Sequence, residues 1–339
     1  MELLQHLGLF FGETLIIVLA IVAIIMTIAA AALKAKNSKS FEVELINEKF
    51  DDQKEALNSI IMSDDDFKKE KKRLKKEAKD AEKNPKKFVY LIDFLKGDVE
   101  ASSVDTFKEE ISAIINVAQK NDEVILRVES PGGVVHGYGL AAAQILRLRD
   151  AGLNITVCVD KVAASGGYLM SCVAHQIIAS PFAILGSIGV VAQVPNFNRL
   201  LKKHDVDYKE YTAGDYKRTV SILGEITEKG EAKFREQLDA THVLFKSFVS
   251  QFRPQLNIDK VATGEYWYGK NALELNLVDK IQTSDDYILN KTKTHQVLKV
   301  SFEKKPTLSD KISGVISKSV SLTINKLIAK KQNLEMGNN

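Results

Sequence analysis

Between Thr14 and Leu33 the chain shows no periodicity, because there is nothing polar enough to create one. TLIIVLAIVAIIMTIAAAAL carries no charge over twenty residues. At about 1.5 Å per residue a helix of that length spans the ~30 Å hydrocarbon layer of a bilayer. From Asn37 to Lys87 the pattern inverts to Lys and Glu with scattered Leu and Ala, as in FKKEKKRLKKEAKDAEKNPKK, and Pro85 stops any helix there. Alternating elements follow. FVYLIDF (88–94) is a strand of the buried type. VDTFKEEISAIINVA places Val104, Phe107, Ile111, Ile114, Ile115 and Ala118 at helical spacing. EVILRVES is a strand that runs into PGG and a small-residue helix through YGLAAAQILRLRD, and NITVCVD is a strand that runs into Ser165 and another helix. Strand, turn and helix recurring in this way predict an α/β fold with largely parallel strands.

The uncharged run from Gln176 to Asn198 looks like a second membrane span on hydropathy alone. It holds Pro181, Gly186, Gly189 and Pro195 and is β-branched, so it reads as a covered strand and loop. GEITEKGEAKFREQLDATHVLFKSFVSQFR reads as a long amphipathic packing helix. In the tail, Ile312, Val315, Ile316, Val320, Ile324, Leu327 and Ile328 return to helical spacing, as a face for a membrane surface or for a neighbouring subunit. The expected divisions are an anchor over 1–36, a charged spacer over 37–87, a globular domain over 88–300 and an amphipathic tail over 301–339.

Charge refines the picture at the N-terminus. No Lys or Arg precedes Lys34, whereas a secretory leader begins with them; Lys34, Lys36 and Lys39 then come after the apolar run. By the positive-inside tendency, the chain beyond Leu33 faces the cytoplasm. The spacer is a solvated stalk or a polybasic contact for anionic lipid headgroups. A net charge of +3 over 339 residues gives no case for nucleic-acid binding. Cys158 and Cys172, both in apolar surroundings, read as buried free thiols, with neither a disulfide framework nor a zinc site in view.

The candidate chemistry sits where strands end. In DKVAASGGYLMSCVA, Ser165 follows two alanines and precedes two glycines. Small neighbours let a substrate backbone approach, the Gly166 amide can face an attacked carbonyl oxygen, and the helix start adds its positive end. The same fragment also fits a turn with a serine N-cap. ESPGG (129–133) is a second glycine-rich strand end that can offer an amide, or is an ordinary tight turn. A serine nucleophile needs a base. His136 and His175 lie near these fragments. A lysine stripped of solvation, its pKa brought down from about 10.4, serves equally. Lys217 in EYTAGDYKRTV, between Asp215 and Arg218, is one of 47 basic residues, and spacing alone does not select it.

Five stretches in order, LRVESPGGVVHGYGLAAAQ, VDKVAASGGYLMSCVA, IIASPFAILGSIGVVAQVPNFN, YTAGDYKRT and TGEYWYGKNALELNLVD, resemble the bacterial serine–lysine membrane peptidases typified by signal peptide peptidase A. That resemblance implies a crotonase- or Clp-protease-like spiral of repeated strand-strand-helix units behind an N-terminal transmembrane helix. It implies Ser165 as nucleophile, Lys217 as general base, Ser187 as the hydroxyl that positions the lysine, and the amides of Gly133 and Gly166 as oxyanion donors. It implies no metal or cofactor. The expected partners are peptides cleaved at small or apolar residues, the bilayer, and further copies of the chain in a ring whose subunits share active sites. The family is often placed on the outer face of the inner membrane, opposite to the side the lysines favour. An acyl-CoA hydratase or isomerase on the same fold, or an inactive membrane scaffold, are the alternatives.

Overall fold

The computed structural model describes residues 39–83, 87–95 and 97–304. The expected span over 14–33 and all but the start of the expected tail lie outside them. Among the described residues no helix is long and apolar enough to cross a membrane. The chain divides into two compact units, 43–301 and a second formed by 1–42 with 302–339. In the second, the rings of Phe41 and Phe302 stand 4.9 Å apart.

Strands β1 (Lys39–Leu45), β2 (Phe88–Phe94), β3 (Glu123–Val128), β4 (Asn154–Val159), β6 (Gln176–Ala179), β9 (Lys280–Ile281) and β10 (Gln296–Lys304) form a seven-stranded sheet in the order β1-β10-β2-β3-β4-β6-β9. From β10 through to β9 every pairing is parallel. A three-stranded sheet holds β5 (Val162–Ala164), β7 (Ile184–Gly186) and β8 (Tyr266–Tyr268). The chain therefore repeats a motif: a long strand in the main sheet, a short extension beyond its end, then a helix. β4 is extended by β5 and β6 by β7, while β3 is extended only by a bridge between Ser130 and Ala163.

The strands are apolar runs because both faces of the sheet are covered. Their period of two sorts side chains into two clusters. Tyr90, Ile92 and Phe94 of β2, with Val124, Leu126 and Val128 of β3, enter the larger one. There they meet helices α3 (Val104–Val117), α4 (Val135–Asp150) and α5 (Gly166–Ser171). Val89, Leu91, Ile125, Cys158 and Ile178 face the other side, where Ile46 and Ile288 cover them. Those two come from α1 (Ile46–Ile61) and α10 (Ser284–Thr292). Within the stretch read from sequence as a spacer, then, Ile46 is buried, and Asn47 donates to the carbonyls of Thr292 and His295 while accepting from the Val297 amide. Helix α2 (Asp64–Lys83) follows α1. Both cysteines are free and buried, as expected from their surroundings.

The remaining helices are α6 (Asn198–Lys203), α7 (Glu228–Phe252), α8 (Ile258–Val261) and α9 (Gly269–Glu274). Arg253, which ends α7, is only 2% exposed. Its guanidinium makes two 2.8 Å bonds to Asp279 and a third to the carbonyl of Asn276, and Asp279 also accepts from the Ile177 amide at 2.7 Å. One fork thus ties α7 to the far edge of the sheet. Arg253→Ala is expected to lower stability by roughly 3 kcal/mol, since it strands a partly buried carboxylate. Urea unfolding measures the loss, and Arg253→Lys, which cannot form the fork, should recover less than half of it.

Candidate active site

Ser165 stands between the last residue of β5 and the first of α5 with φ 51° and ψ −118°. This lies outside the broad regions open to a residue with a Cβ, so the turn stores strain of about 1–3 kcal/mol. The surrounding bonds hold it there. The Ser165 amide donates to the Gly186 carbonyl at 2.8 Å, and the Ser165 carbonyl accepts from Leu169 at 2.9 Å. The side chain does not cap the helix, which disposes of the N-cap reading, and among the described residues its Oγ has no hydrogen bond.

The glycines around it are there for clearance. Gly132 has φ 90°, and a Cβ on it would lie 2.6 Å from the Gly166 nitrogen and 2.7 Å from Ser165 Cβ. The Pro131–Gly133 loop therefore lies directly on the Ser165 turn. In that loop the Gly132 amide donates to Ser130 Oγ at 3.1 Å and the Val134 amide to the Val99 carbonyl at 2.8 Å. Gly133, between them, has no acceptor among the described residues. Gly166 is the first residue of its helix, so its amide has no acceptor within the helix. Gly133, Ser165 and Gly166 line one cavity of about 250 Å³. Its other walls are largely apolar, with Leu169 from α5, Val190 and Val191 after β7, and Leu244, Phe245 and Phe248 from α7.

Ser187 is Ser165's counterpart one strand over. The parallel register of β5 and β7 pairs Ala164 with Gly186, the residues that immediately precede Ser165 and Ser187. Ser187 also has a positive φ, 50°, and its amide donates to the Glu265 carbonyl at 2.6 Å. Lys217 is elsewhere. It is exposed in the loop between α6 and α7 and does not line the cavity. Of its neighbours, Arg218 is paired with Glu210 at 3.0 Å, and the Tyr216 ring lies under Lys229 and Lys233. A single copy of the chain thus brings Gly133, Ser165 and Gly166 to one cavity, while Ser187, after the neighbouring short strand, and Lys217, in its exposed loop, are not among the residues lining it.

The comparisons with known proteins agree with a hydrolytic site. The models for the N-terminal part of peptidase family S49 and for peptidase family S49 match residues 2–145 and 147–298. The chain belongs to peptidase family S49. Over 91% of its length this S49 chain is 49% identical to a probable protease SohB from Haemophilus influenzae, covering 92% of that protein. It is 41% identical to a probable protease SohB from Buchnera aphidicola subsp. Schizaphis graminum, over 98% of this chain and 99% of the other. Among solved structures, a 1510-N membrane-bound stomatin-specific protease, a point mutant in complex with a substrate peptide, is matched at 13% identity with a TM-score of 0.42, over 69% of this chain and 99% of that one. That score is too low to carry an inference.

Two of the described histidines of this S49 chain are engaged with backbone groups. His175 accepts from the Ile155 amide at 3.1 Å at the start of β4, the end of the strand opposite to Ser165. His242 contacts the Ile188 carbonyl at 3.2 Å, and His136 is exposed. Sequence reasoning missed Tyr138 and Ser130. Tyr138 is fully buried, lines the cavity and bonds to Ser130 and to the Asp98 carbonyl. Burial pushes its phenol above the usual tyrosine range, with the Ser130 bond pulling the other way. Burial also pushes both thiols well up, so neither cysteine is available as a nucleophile.

Proposed function

We propose that this peptidase is a membrane-anchored serine endopeptidase working by a Ser165–Lys217 dyad. The observation that carries the proposal is the strained Ser165 turn, with an unengaged hydroxyl opening on an apolar cavity beside two amides that lack acceptors. In the first step Ser165 Oγ attacks the peptide carbonyl carbon while its proton passes to the neutral amine of Lys217. The oxyanion that forms accepts from the amides of Gly133 and Gly166. Its collapse breaks the C–N bond, and the proton on Lys217 goes to the leaving amine. Water then gives a proton to Lys217 and attacks the ester. The second collapse returns the proton to Ser165 Oγ and frees the acid. Ser187 orients the lysine.

The exposure of Lys217 fixes what else the reaction needs. An amine works as a base only when desolvated and uncharged. A neighbouring copy that lays its own Lys217 loop over this cavity supplies both the proximity and the dryness, in keeping with a ring of subunits. The repeated long strand, short strand and helix fit the crotonase- or Clp-like spiral. The span over 14–33 sets the domain at a bilayer, where peptides with apolar side chains suit the cavity wall. A hydratase on this fold wants an acidic group at the reacting carbon, and the described residues lining the cavity include neither Asp nor Glu.

Labelling of the full-length protein with a fluorophosphonate tests the reading. Mass spectrometry should find the adduct on Ser165, and an unlabelled Ser165 in protein that cleaves peptides would defeat it.

Gly139 bears on which peptides fit. It sits inside α4, where glycine costs about 0.5–1 kcal/mol relative to alanine. It lines the cavity, and a Cβ on it would meet nothing within 4 Å. Gly139→Ala should therefore raise the melting temperature while narrowing the cavity. The variant's preference for leucine over alanine at the cleaved position should drop about tenfold or more, as kcat/KM on paired peptides would show.

A further inference from the structure

One buried side chain touches both loops that carry the proposed oxyanion donors. The Tyr138 ring lies against the Ser165 turn: a Cβ on Gly166 would come within 2.4 Å of Tyr138 Cγ. Its hydroxyl faces the other loop. Tyr138 Oη donates to the Asp98 carbonyl at 2.8 Å and lies 2.5 Å from Ser130 Oγ, which accepts from the Gly132 amide at 3.1 Å. The Asp98 carbonyl can only accept, and that sets the direction of every proton. Tyr138 gives to Asp98, Ser130 gives to Tyr138, and Gly132 gives to Ser130. Each hydroxyl in the relay donates once and accepts once.

The rest of Ser130 is fixed as well. Its amide donates to the Val162 carbonyl at 2.9 Å, and its carbonyl accepts from the Ala164 amide at 3.0 Å. Gly97 closes over it, since a Cβ there would lie 2.4 Å from Ser130 Oγ. The relay thus starts from a residue locked to β5 and ends on the amide next to Gly133. With Gly132 at φ 90°, a rotation of a few tens of degrees at that peptide would re-aim the Gly133 N–H.

We propose that Tyr138, acting through Ser130, is a positioning residue that fixes the Gly133 and Gly166 amides relative to each other and so sets the geometry of the oxyanion hole. This rests on the serine-peptidase reading of the site. A donor aimed at the place where the oxyanion develops, about 2.7–3.1 Å from it, acts in the transition state and not in substrate binding. Removing one such donor outright costs about 10²–10³ in kcat. Misaiming one should cost less.

The test uses the full-length assembled protein with Tyr138→Phe, Ser130→Ala and the double variant, assayed on one peptide well below their melting temperatures. Each single variant should lose about 10–100-fold in kcat with KM within about twofold of the parent. The double variant should lose no more than the worse single, because both break the same relay. Fluorophosphonate should still label Ser165 in every variant, only more slowly. An unchanged kcat in either folded single variant overturns the proposal, and so do losses that multiply in the double. If Tyr138→Phe does not fold, Ser130→Ala, which removes one hydroxyl and leaves the ring on Gly166, decides alone. Failure of the serine-peptidase reading shows separately, as absence of Ser165 labelling in the parent protein.

Discussion

Replacing Ser165 by glycine yields a protein that is more stable than its parent and inactive. The turn at Ser165 holds a residue with a Cβ at φ 51° and ψ −118°, a conformation glycine adopts freely. Relief of about 1–3 kcal/mol of strain opposes about 0.5–1 kcal/mol lost because an unfolded glycine is freer than an unfolded serine. The net gain is about 1 kcal/mol, and the hydroxyl loses no bond in the change. Ser165→Ala keeps the Cβ and should stay near parental stability. Either variant loses the nucleophile and with it about 10⁴–10⁶-fold in kcat. Calorimetry and peptide hydrolysis together read the two effects. A glycine variant less stable than the alanine variant would show that the turn stores no strain, and hydrolysis at the parental rate in either would remove Ser165 from the chemistry. Strain kept at the cost of stability belongs with a site selected for reactivity.

Much of the fold was legible because burial on both faces of the sheet leaves an unmistakable imprint. FVYLIDF and NITVCV are strands, and Val104–Val117 is a helix that buries Val104, Phe107, Ile111 and Ile114, as the spacing required, together with Glu110, while Ile115 and Ala118 of the expected face are only partly buried. The second sheet was not legible. Its strands are three residues each, too short for a period of two to stand out, and they hold together through register with one another. The charged stretch before residue 88 hid a different fact. Ile46, Asn47 and the partly buried Phe50 tie its start to the domain, and composition averages over them.

Within the site, Ser165 and the two glycine-rich turns could be singled out because close approach demands small residues, although the same residues also make ordinary turns. Lys217 came only from family resemblance. Its surroundings in one copy are those of any exposed lysine, so nothing local sets it apart. Tyr138 was passed over inside a small-residue helix, because its place in the sequence does not show what its hydroxyl reaches.

The second large effect concerns Lys217. Lys217→Ala should lose hydrolysis as fully as Ser165→Ala, while an exposed loop side chain with no ion pair among the described residues leaves stability within about 0.5 kcal/mol. Lys217→Arg should fail too, since a guanidinium stays protonated. More telling is what the two dead variants do together. If one copy supplies the serine and its neighbour the lysine, a random ring of equal parts Ser165→Ala and Lys217→Ala chains holds intact pairs. An intact serine and an intact neighbouring lysine each occur with a chance of one half, so about a quarter of the sites are complete, as expected for a head-to-tail interface. If serine and lysine belong to one copy, no site is complete.

Co-expression of those two variants under separate affinity tags, followed by purification through both tags and a peptide assay, measures this directly. About a quarter of the parental activity, absent from either variant alone, is the result the account predicts. A doubly tagged assembly as inactive as its parents would contradict it.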